Sequence, residues 1–501
     1  MSTNGPVPAI GAERRLGDRS VVRIATTLLF VLGAWPLLVC DVPPLEDLPA
    51  HLATAVVIRH PEAYPDLVFH GFFKTNATLF LWLHACGEAH LVLAAKAFVA
   101  LVVFSLAWVL PRLVLELGGR ERVPAATLLA APLVHNWFVA MGMLDYALAS
   151  ALALVIVLLL VREARDPRRT RMITIAALGL IVWYTHVFAL AMLALLAVVE
   201  WIRLRLARDP NANTRVLRAF VALAPALALA AWSVVVEFLR GSRAAPGIRY
   251  RPPWETVYEL WAKYAWAFSK LEIASLVSFV VLGWCLFRAR RTHPMLSPFA
   301  AIVLLVLALG LPSEAFDWYA VNSRVLPFLY AAALVTAPMH LPRWATASLA
   351  ACALSISVGL GIDYARLGRD MNELASGISV VPENADLVPV IFEPKGSSEN
   401  TWALVNAWGL YVVARHTSAP LVFAHSPSFP IGYRAGSSVP RDDPSFAQEH
   451  HSPDAWRTFA ESLATRGWVL EWGVPPPEMV RIPRHTLVVE HGRLRLYSPA
   501  P

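Results

Sequence analysis

From Val21 to about position 361 the chain is a succession of long apolar runs separated by short, mostly basic breaks. A helix crosses the hydrocarbon core of a bilayer with roughly 20 apolar residues, and the runs predict about eleven such spans. They fall near 21–40, 90–110, 124–139, 144–161, 216–238, 273–287, 296–311, 325–339 and 344–361, with two more inside 172–201. The pair inside 172–201 follows from charge. Arg162, Arg165, Arg168, Arg169 and Arg171 precede that run and Arg203, Arg205 and Arg208 follow it. Positive clusters mark the cytoplasmic side, so both flanks lie there and the run must cross an even number of times. Tyr184-Thr185-His186, the strongly polar point inside it, is the expected turn.

The same rule orients the rest. Arg14, Arg15, Arg19 and Arg23 set residues 1–20 as a cytoplasmic tail, and Arg288, Arg290 and Arg291 return the chain to the cytoplasm after the eighth span. No small-residue cleavage site follows the first run, which is read as a retained helix rather than a signal peptide. The spans occupy 21–364 and leave a large first outer loop at 41–88. Within that loop a short interfacial helix is expected near Pro49, since proline suits a first helical turn. Beyond 365 no run is long enough to span. Alternating stretches at Asp386–Phe392, Leu421–His425, Trp468–Trp472 and Thr486–Leu496 read as strands, and 401–415 and 454–465 as helices. The expected architecture is an all-α polytopic membrane protein with a C-terminal α/β extracytoplasmic domain at 365–501.

Composition agrees. Of 501 residues, 57% are hydrophobic and 16% charged, where soluble domains carry roughly a quarter charged residues. The formal charge of +7 resides in clusters that serve as orientation signals, so no nucleic-acid partner is expected. Cys40, Cys86, Cys285 and Cys352 lie in or beside apolar runs without metal-ligand spacing and read as small buried hydrophobes.

Candidate chemistry gathers at the predicted outer ends of the spans. Asp41-Val-Pro-Pro-Leu-Glu46-Asp47-Leu-Pro-Ala-His51 follows the first span with three carboxylates and an imidazole. Asp47 can cap the helix that starts near Pro49; equally, it can take a proton from a hydroxyl nucleophile or hold a divalent cation. Glu46 adjoins it, and neighbouring carboxylates push their pKa values apart. His51 is either an interfacial residue or a partner on the same helix face. Asp145 and His186 stand at turns between spans, as solvated turn residues or as groups facing an internal cavity. Asn322 and Arg324 open the tenth span, where an arginine either anchors to lipid headgroups or forks onto a phosphate. A second basic group at Arg240, Arg243, Arg249, Arg251 and Lys263, mixed with tryptophans, runs against the positive-inside tendency. Neither a Walker A loop, a Rossmann glycine pattern, an HExxH pair nor a Gly-x-Ser-x-Gly elbow is present.

Four stretches carry a resemblance: Pro43-Pro44-Leu45-Glu46-Asp47-Leu48-Pro49-Ala50-His51-Leu52, Gly142-Met-Leu-Asp145-Tyr146, Tyr184-Thr185-His186 and Ser323-Arg324-Val-Leu-Pro327. With them the chain resembles the membrane-embedded glycosyltransferases of the GT-C superfamily, relatives of the protein mannosyltransferases and aminoarabinose transferases, in a bacterial branch. The resemblance implies a polyprenyl-phosphate sugar donor, a glycan, lipid or protein acceptor on the outer face of the bacterial inner membrane, and Asp47 or Glu46 as base. It makes Arg324 the candidate for the donor phosphate, with His51, Asp145, His186 and Asn322 as further binding residues. Asp145 departs from the asparagine expected at its position. The rival expectation is a transporter or flippase of a lipid-linked or anionic substrate, for which repeats and charged groups at mid-membrane depth are the usual signs.

Overall fold

The computed structural model describes residues 10–239, 247–264, 268–269, 273–288, 293–315, 318–419, 422–424, 429–434, 459–464, 466–475 and 482–500. Residues 1–9 of the expected tail, Arg240, Arg243, Arg290, Arg291 and residues 454–458 of the last expected helix lie outside them.

Among the described residues seven helices are long and apolar enough to cross a membrane: Gly17–Leu38, Glu88–Gly118, Arg120–Ala140, Leu144–Arg165, Val187–Leu206, Ala212–Val236 and Arg343–Ala375. The other expected spans correspond to shorter helices, Arg169–Thr185 at 17 residues, Ser275–Phe287 and Pro298–Gly310 at 13 each, and Leu326–Val335 at 10. At 1.5 Å rise per residue, 13 residues reach only about 20 Å, against a hydrocarbon core of roughly 30 Å. Helix-breaking residues cut them short: Gly310-Leu311-Pro312 closes one, and Pro338 and Pro342 follow another. The count by length is therefore seven, and eleven crossings stay an expectation.

The first helix, α1 (Ile10–Ala34), begins inside the expected polar tail. Ala12, Glu13, Arg14, Arg15 and Leu16 are strong helix formers and let the helix run on into polar sequence. In the first loop, α2 (Leu48–Arg59) starts beside Pro49 as expected and is buried along almost its whole length, followed by β1 (Leu67–Phe69) and α3 (Thr78–Cys86). The run 172–201 is two helices, α8 (Arg169–Thr185) and α9 (Val187–Leu206), where α4 to α7 are Leu91–Leu113, Val123–Ala130, Trp137–Ala140 and Leu144–Arg165. The break between them is held from the first loop: the Thr75 hydroxyl donates to Trp183 O at 2.9 Å and accepts from Val187 N–H at 3.1 Å. Those are backbone groups that an unbroken helix would pair internally.

The last long helix, α15 (Arg343–Ala375), has 33 residues, about 50 Å of rod at 1.5 Å per residue. Its far end leaves the main core. Met371 and Leu374 pack with Leu387, Tyr411, Leu470, Trp472, Leu494 and Leu496 in a separate core. That core lies on a four-stranded sheet in the order β5 (Leu387–Ile391), β7 (Trp468–Trp472), β9 (Leu494–Pro499), β8 (His485–His491), with β5 parallel to β7 and the remaining pairs antiparallel. The expected strand at 486–496 is a hairpin turning at Gly492, and residues 422–424 of the expected strand at 421–425 are not extended. The segment 401–415 forms turns and then α16 (Gly409–Arg415).

Contacts between elements bind this C-terminal part to the first loop. β1 pairs antiparallel with β6 (Ile431–Tyr433). α16 lies on α2 so closely that a side chain at Gly409 would meet the carbonyl oxygen of Pro49 at 2.4 Å. Only glycine fits there.

Candidate active site

The acidic loop is pinned by backbone bonds. Glu46 N–H donates to Ala140 O and Asp47 N–H to Met141 O, each at 3.2 Å. Beside them Gly142 holds φ +82°, and a Cβ there would lie 2.9 Å from Asp47 Cβ. This position needs glycine for both reasons. It explains why Gly142 accompanies the loop in the sequence.

Asp47 occupies the N-cap position of α2 without making a side-chain capping bond. Its Oδ1 instead accepts from the Asn406 side chain at 3.4 Å, while Asn406 also donates to Glu46 O at 3.1 Å. Glu46 Oε2 accepts Trp402 N–H at 3.2 Å. Both carboxylates are thus held by neutral donors, and no lysine or arginine pairs with either among the described residues. Burial pushes Asp47 up to about 7, and burial together with the charge of Asp47 holds Glu46 well above the usual carboxylate range. A group ionising near neutral pH suits general-base work.

His51 lies four residues on, with Nε2 3.3 Å from Gly142 O. Its ring packs among Phe80, Phe423 and Phe429. Nδ1 is buried without a partner. Asp145, at the start of α7, accepts Leu79 N–H at 3.0 Å and so serves as the cap that α3 lacks from its own sequence.

Arg324 is buried just before α14 (Leu326–Val335) and has no carboxylate partner among the described residues. Its guanidinium donates to Tyr319 O at 3.1 and 3.3 Å and lies over the rings of Tyr146 and Trp318 at 5.2 and 5.1 Å. The Tyr146 hydroxyl donates to Arg324 O. Nη1 stands 2.6 Å from His186 Nε2. Meanwhile His186 Nδ1 accepts Phe188 N–H at 3.2 Å, at the start of α9. A neutral imidazole has one acceptor nitrogen. One imidazole therefore cannot accept from both Phe188 N–H and Arg324 Nη1–H, and its tautomer decides which of the two it serves.

Lys263 follows α11 (Pro253–Ala262) and is buried, with Nζ 2.6 Å from Ser323 Oγ, 3.2 Å from Glu259 Oε1 and 4.1 Å from the Trp137 ring centre. Burial brings it down to about 8, against the pull of Glu259. Arg251 also pairs with Glu259. Asn322 donates toward Glu259 Oε2 at 3.4 Å.

These groups share one cavity of about 860 Å³, lined by Glu46, Asp47, His51, Asp145, His186 and Arg324 together with Arg251, Glu259 and Lys263. Six of the seven residues singled out from sequence line it. Asn322 does not; it stands behind Glu259. Sequence reasoning noted Arg251 and Lys263 only as a basic cluster on the unexpected side, and missed Glu259, Trp402 and Asn406. For a divalent cation, the acidic loop offers Glu46 and Asp47, and no further imidazole or carboxylate among the described residues completes a set of three there.

Two crystal structures of ArnT from Cupriavidus metallidurans are similar to this chain. The apo state has TM-score 0.55 and 14% identity over 98% of this chain and 98% of that one. The form bound to undecaprenyl phosphate has TM-score 0.52 and 12% identity over 95% and 97%. The likeness is one of fold. It extends over nearly the full length of both chains, so the overall arrangement of helices and C-terminal sheet is shared. In sequence, no protein-family model and no curated protein matches.

Proposed function

We propose that the chain is an integral-membrane glycosyltransferase that passes a sugar from a polyprenyl-phosphate donor to an acceptor on the extracytoplasmic face of the bacterial inner membrane. One observation carries the reading: Asp47 and Arg324, 277 positions apart in the chain, line the same cavity. The fold shared with an ArnT that binds undecaprenyl phosphate supports the donor class.

The roles follow from the chemistry. Asp47 takes the proton of the acceptor hydroxyl as its oxygen attacks the anomeric carbon. The bond from that carbon to the phosphate oxygen breaks with inversion, and the electron pair leaves on the lipid phosphate. Arg324, with Lys263 nearby, meets the charge that develops there. A phosphate oxygen that enters beside Arg324 Nη1 accepts from the guanidinium in place of its contact with His186 Nε2. Asp145 supports the site from the cavity wall by capping α3, and Asn322 supports it from behind through Glu259.

Orientation supports the side. α7 and α9 begin at Asp145 and His186, against the cavity, and end in Arg162 and Arg165, and in Arg203 and Arg205. Positive clusters mark the cytoplasm, which leaves the cavity and the C-terminal domain outside. The ionisable groups also stand at helix ends rather than at mid-helix, which favours an enzyme over a transporter. The test is sugar transfer by the purified protein in liposomes without any ion gradient. Transfer with turnover supports the enzyme; gradient-dependent movement of donor lipid without transfer overturns it in favour of a flippase.

A further inference from the structure

Outside the cavity, three side chains from distant stretches converge. His60 follows α2, Glu88 opens the second long helix, and His416 follows α16. Glu88 Oε2 is 2.7 Å from His60 Nε2 and Glu88 Oε1 is 2.8 Å from His416 Nε2. The imidazole centres are 4.6 Å apart, and one donor atom from each residue lies within 4.8 Å of the others. We propose that His60, Glu88 and His416 form a zinc-type divalent-metal site that staples α16 of the C-terminal domain to α2 of the first loop.

Two features support the metal over a plain ion triad. Two imidazoles and one carboxylate are a ligand set that zinc takes readily, with a fourth position left for water. Both histidines turn Nε2 inward, and Nδ1 of His60 faces Glu62 Oε1 at 3.5 Å; a ligating histidine characteristically offers its other nitrogen to such a carboxylate. His416 closes α16 in the left-handed conformation common at helix C-termini, φ +51°, and this turn brings its ring to Glu88. Without a metal, the same geometry leaves two imidazole rings tilted at 32° with centres 4.6 Å apart and a single carboxylate serving both. Nearby, Tyr64 is 5% exposed, its hydroxyl has no hydrogen-bond partner, and it lies within the field of Glu88.

The place gives the staple its purpose. α2 and α16 touch at Pro49 and Gly409, next to Asp47, and meet again at His60 and His416. The segment leading into α16 carries Trp402 and Asn406, which hold Glu46 and Asp47. A metal at the far end therefore fixes the helix pair whose near end positions the carboxylates. His60, Glu88 and His416 are positioning residues. The site stands whether or not the cavity transfers sugar.

The experiment uses the full chain in detergent, with any affinity tag removed and metal stripped by chelator and dialysis. Zinc is titrated calorimetrically, bound metal is counted by mass spectrometry, and cobalt is added as a spectroscopic reporter. The expected result is about one equivalent of zinc, a tetrahedral cobalt spectrum and a zinc-dependent rise in Tm, as mass action requires of a ligand that binds only the folded state. H60A and H416A lose the bound equivalent, E62Q weakens it roughly 10-fold as loss of an orienting carboxylate does, and H340Q, at an exposed histidine elsewhere, keeps it. The unaltered protein decides the matter even where a variant fails to fold. Absence of stoichiometric zinc and of a cobalt spectrum overturns the proposal, as does equal binding by H60A and H416A. A Tm that depends on pH in the unaltered chain but not on zinc identifies a plain ion triad and also overturns it.

Discussion

The two ends of the cavity are built on opposite plans. At the first loop, Glu46 and Asp47 are two neighbouring carboxylates held by neutral donors, with no cation paired to either among the described residues. At the other end, Arg251 and Lys263 share Glu259 in an ion cluster, and Arg324 next to them is left with carbonyl and aromatic partners. A carboxylate without a cation keeps a raised pKa and can accept a proton; an arginine without a carboxylate keeps its donors for an incoming anion. The difference assigns proton transfer to one end and phosphate binding to the other. Each variant below tests whether those tasks can be separated.

Asp47→Asn removes the base and keeps the shape. We expect sugar transfer to fall about 10²–10⁴-fold, the usual worth of a general base, with donor-lipid affinity little changed, measured by single-turnover transfer and by lipid binding on the same preparation. Arg324→Ala should do the reverse. It is expected to weaken donor binding roughly 10–100-fold, the worth of a charge-assisted hydrogen bond of about 1.5–3 kcal/mol, and the loss should appear in KM for the lipid before it appears in kcat.

The pH dependence sharpens the same contrast. Burial places Asp47 near 7, and the base works only when ionised. The rate should therefore fall about tenfold per pH unit below that point and level off above it. A solvated carboxylate would give a flat profile down to about pH 5. Gly142→Ala strains a left-handed backbone against Asp47 and should cost about 1–3 kcal/mol of stability, seen as a lower Tm together with lower activity. Asn406→Ala, the smallest change, removes one neutral donor to Asp47. A rate loss of several-fold is expected, in line with about 1 kcal/mol for a neutral hydrogen bond.

Much of this cavity was legible in the sequence, because its parts sit at interruptions of apolar runs. His186 breaks a run flanked by two basic clusters, Arg324 opens another, and Asp145 begins a third; a charged group at the edge of a membrane helix needs a reason to be there. The break at His186 and the start of α2 beside Pro49 also follow from local residue types. What escaped depends on distance along the chain. Asn406 and Trp402 are ordinary residues until the fold brings them to Glu46 and Asp47 across some 360 positions, and Glu259 belongs to a helix whose only visible signal was an excess of basic residues around it. The helices at 275–287, 298–310 and 326–335 are the converse case. Apolar composition marks all three as spans, while glycine and proline end those at 298–310 and 326–335 after 13 and 10 residues. Asp145 looked like a chemical group and is engaged as a cap for α3, a role set by packing rather than by its neighbours in sequence.

The central claim is that a lipid phosphate and the Asp47 carboxylate meet in one cavity. A structure of the protein with a polyprenyl-phosphate analogue tests it directly. The expected result is a phosphate oxygen accepting from Arg324, the Arg324–His186 contact opened by it, and the leaving-group side of the phosphate turned toward Asp47. A phosphate bound away from the cavity, with Arg324 still on Tyr319 O and against His186, would contradict it.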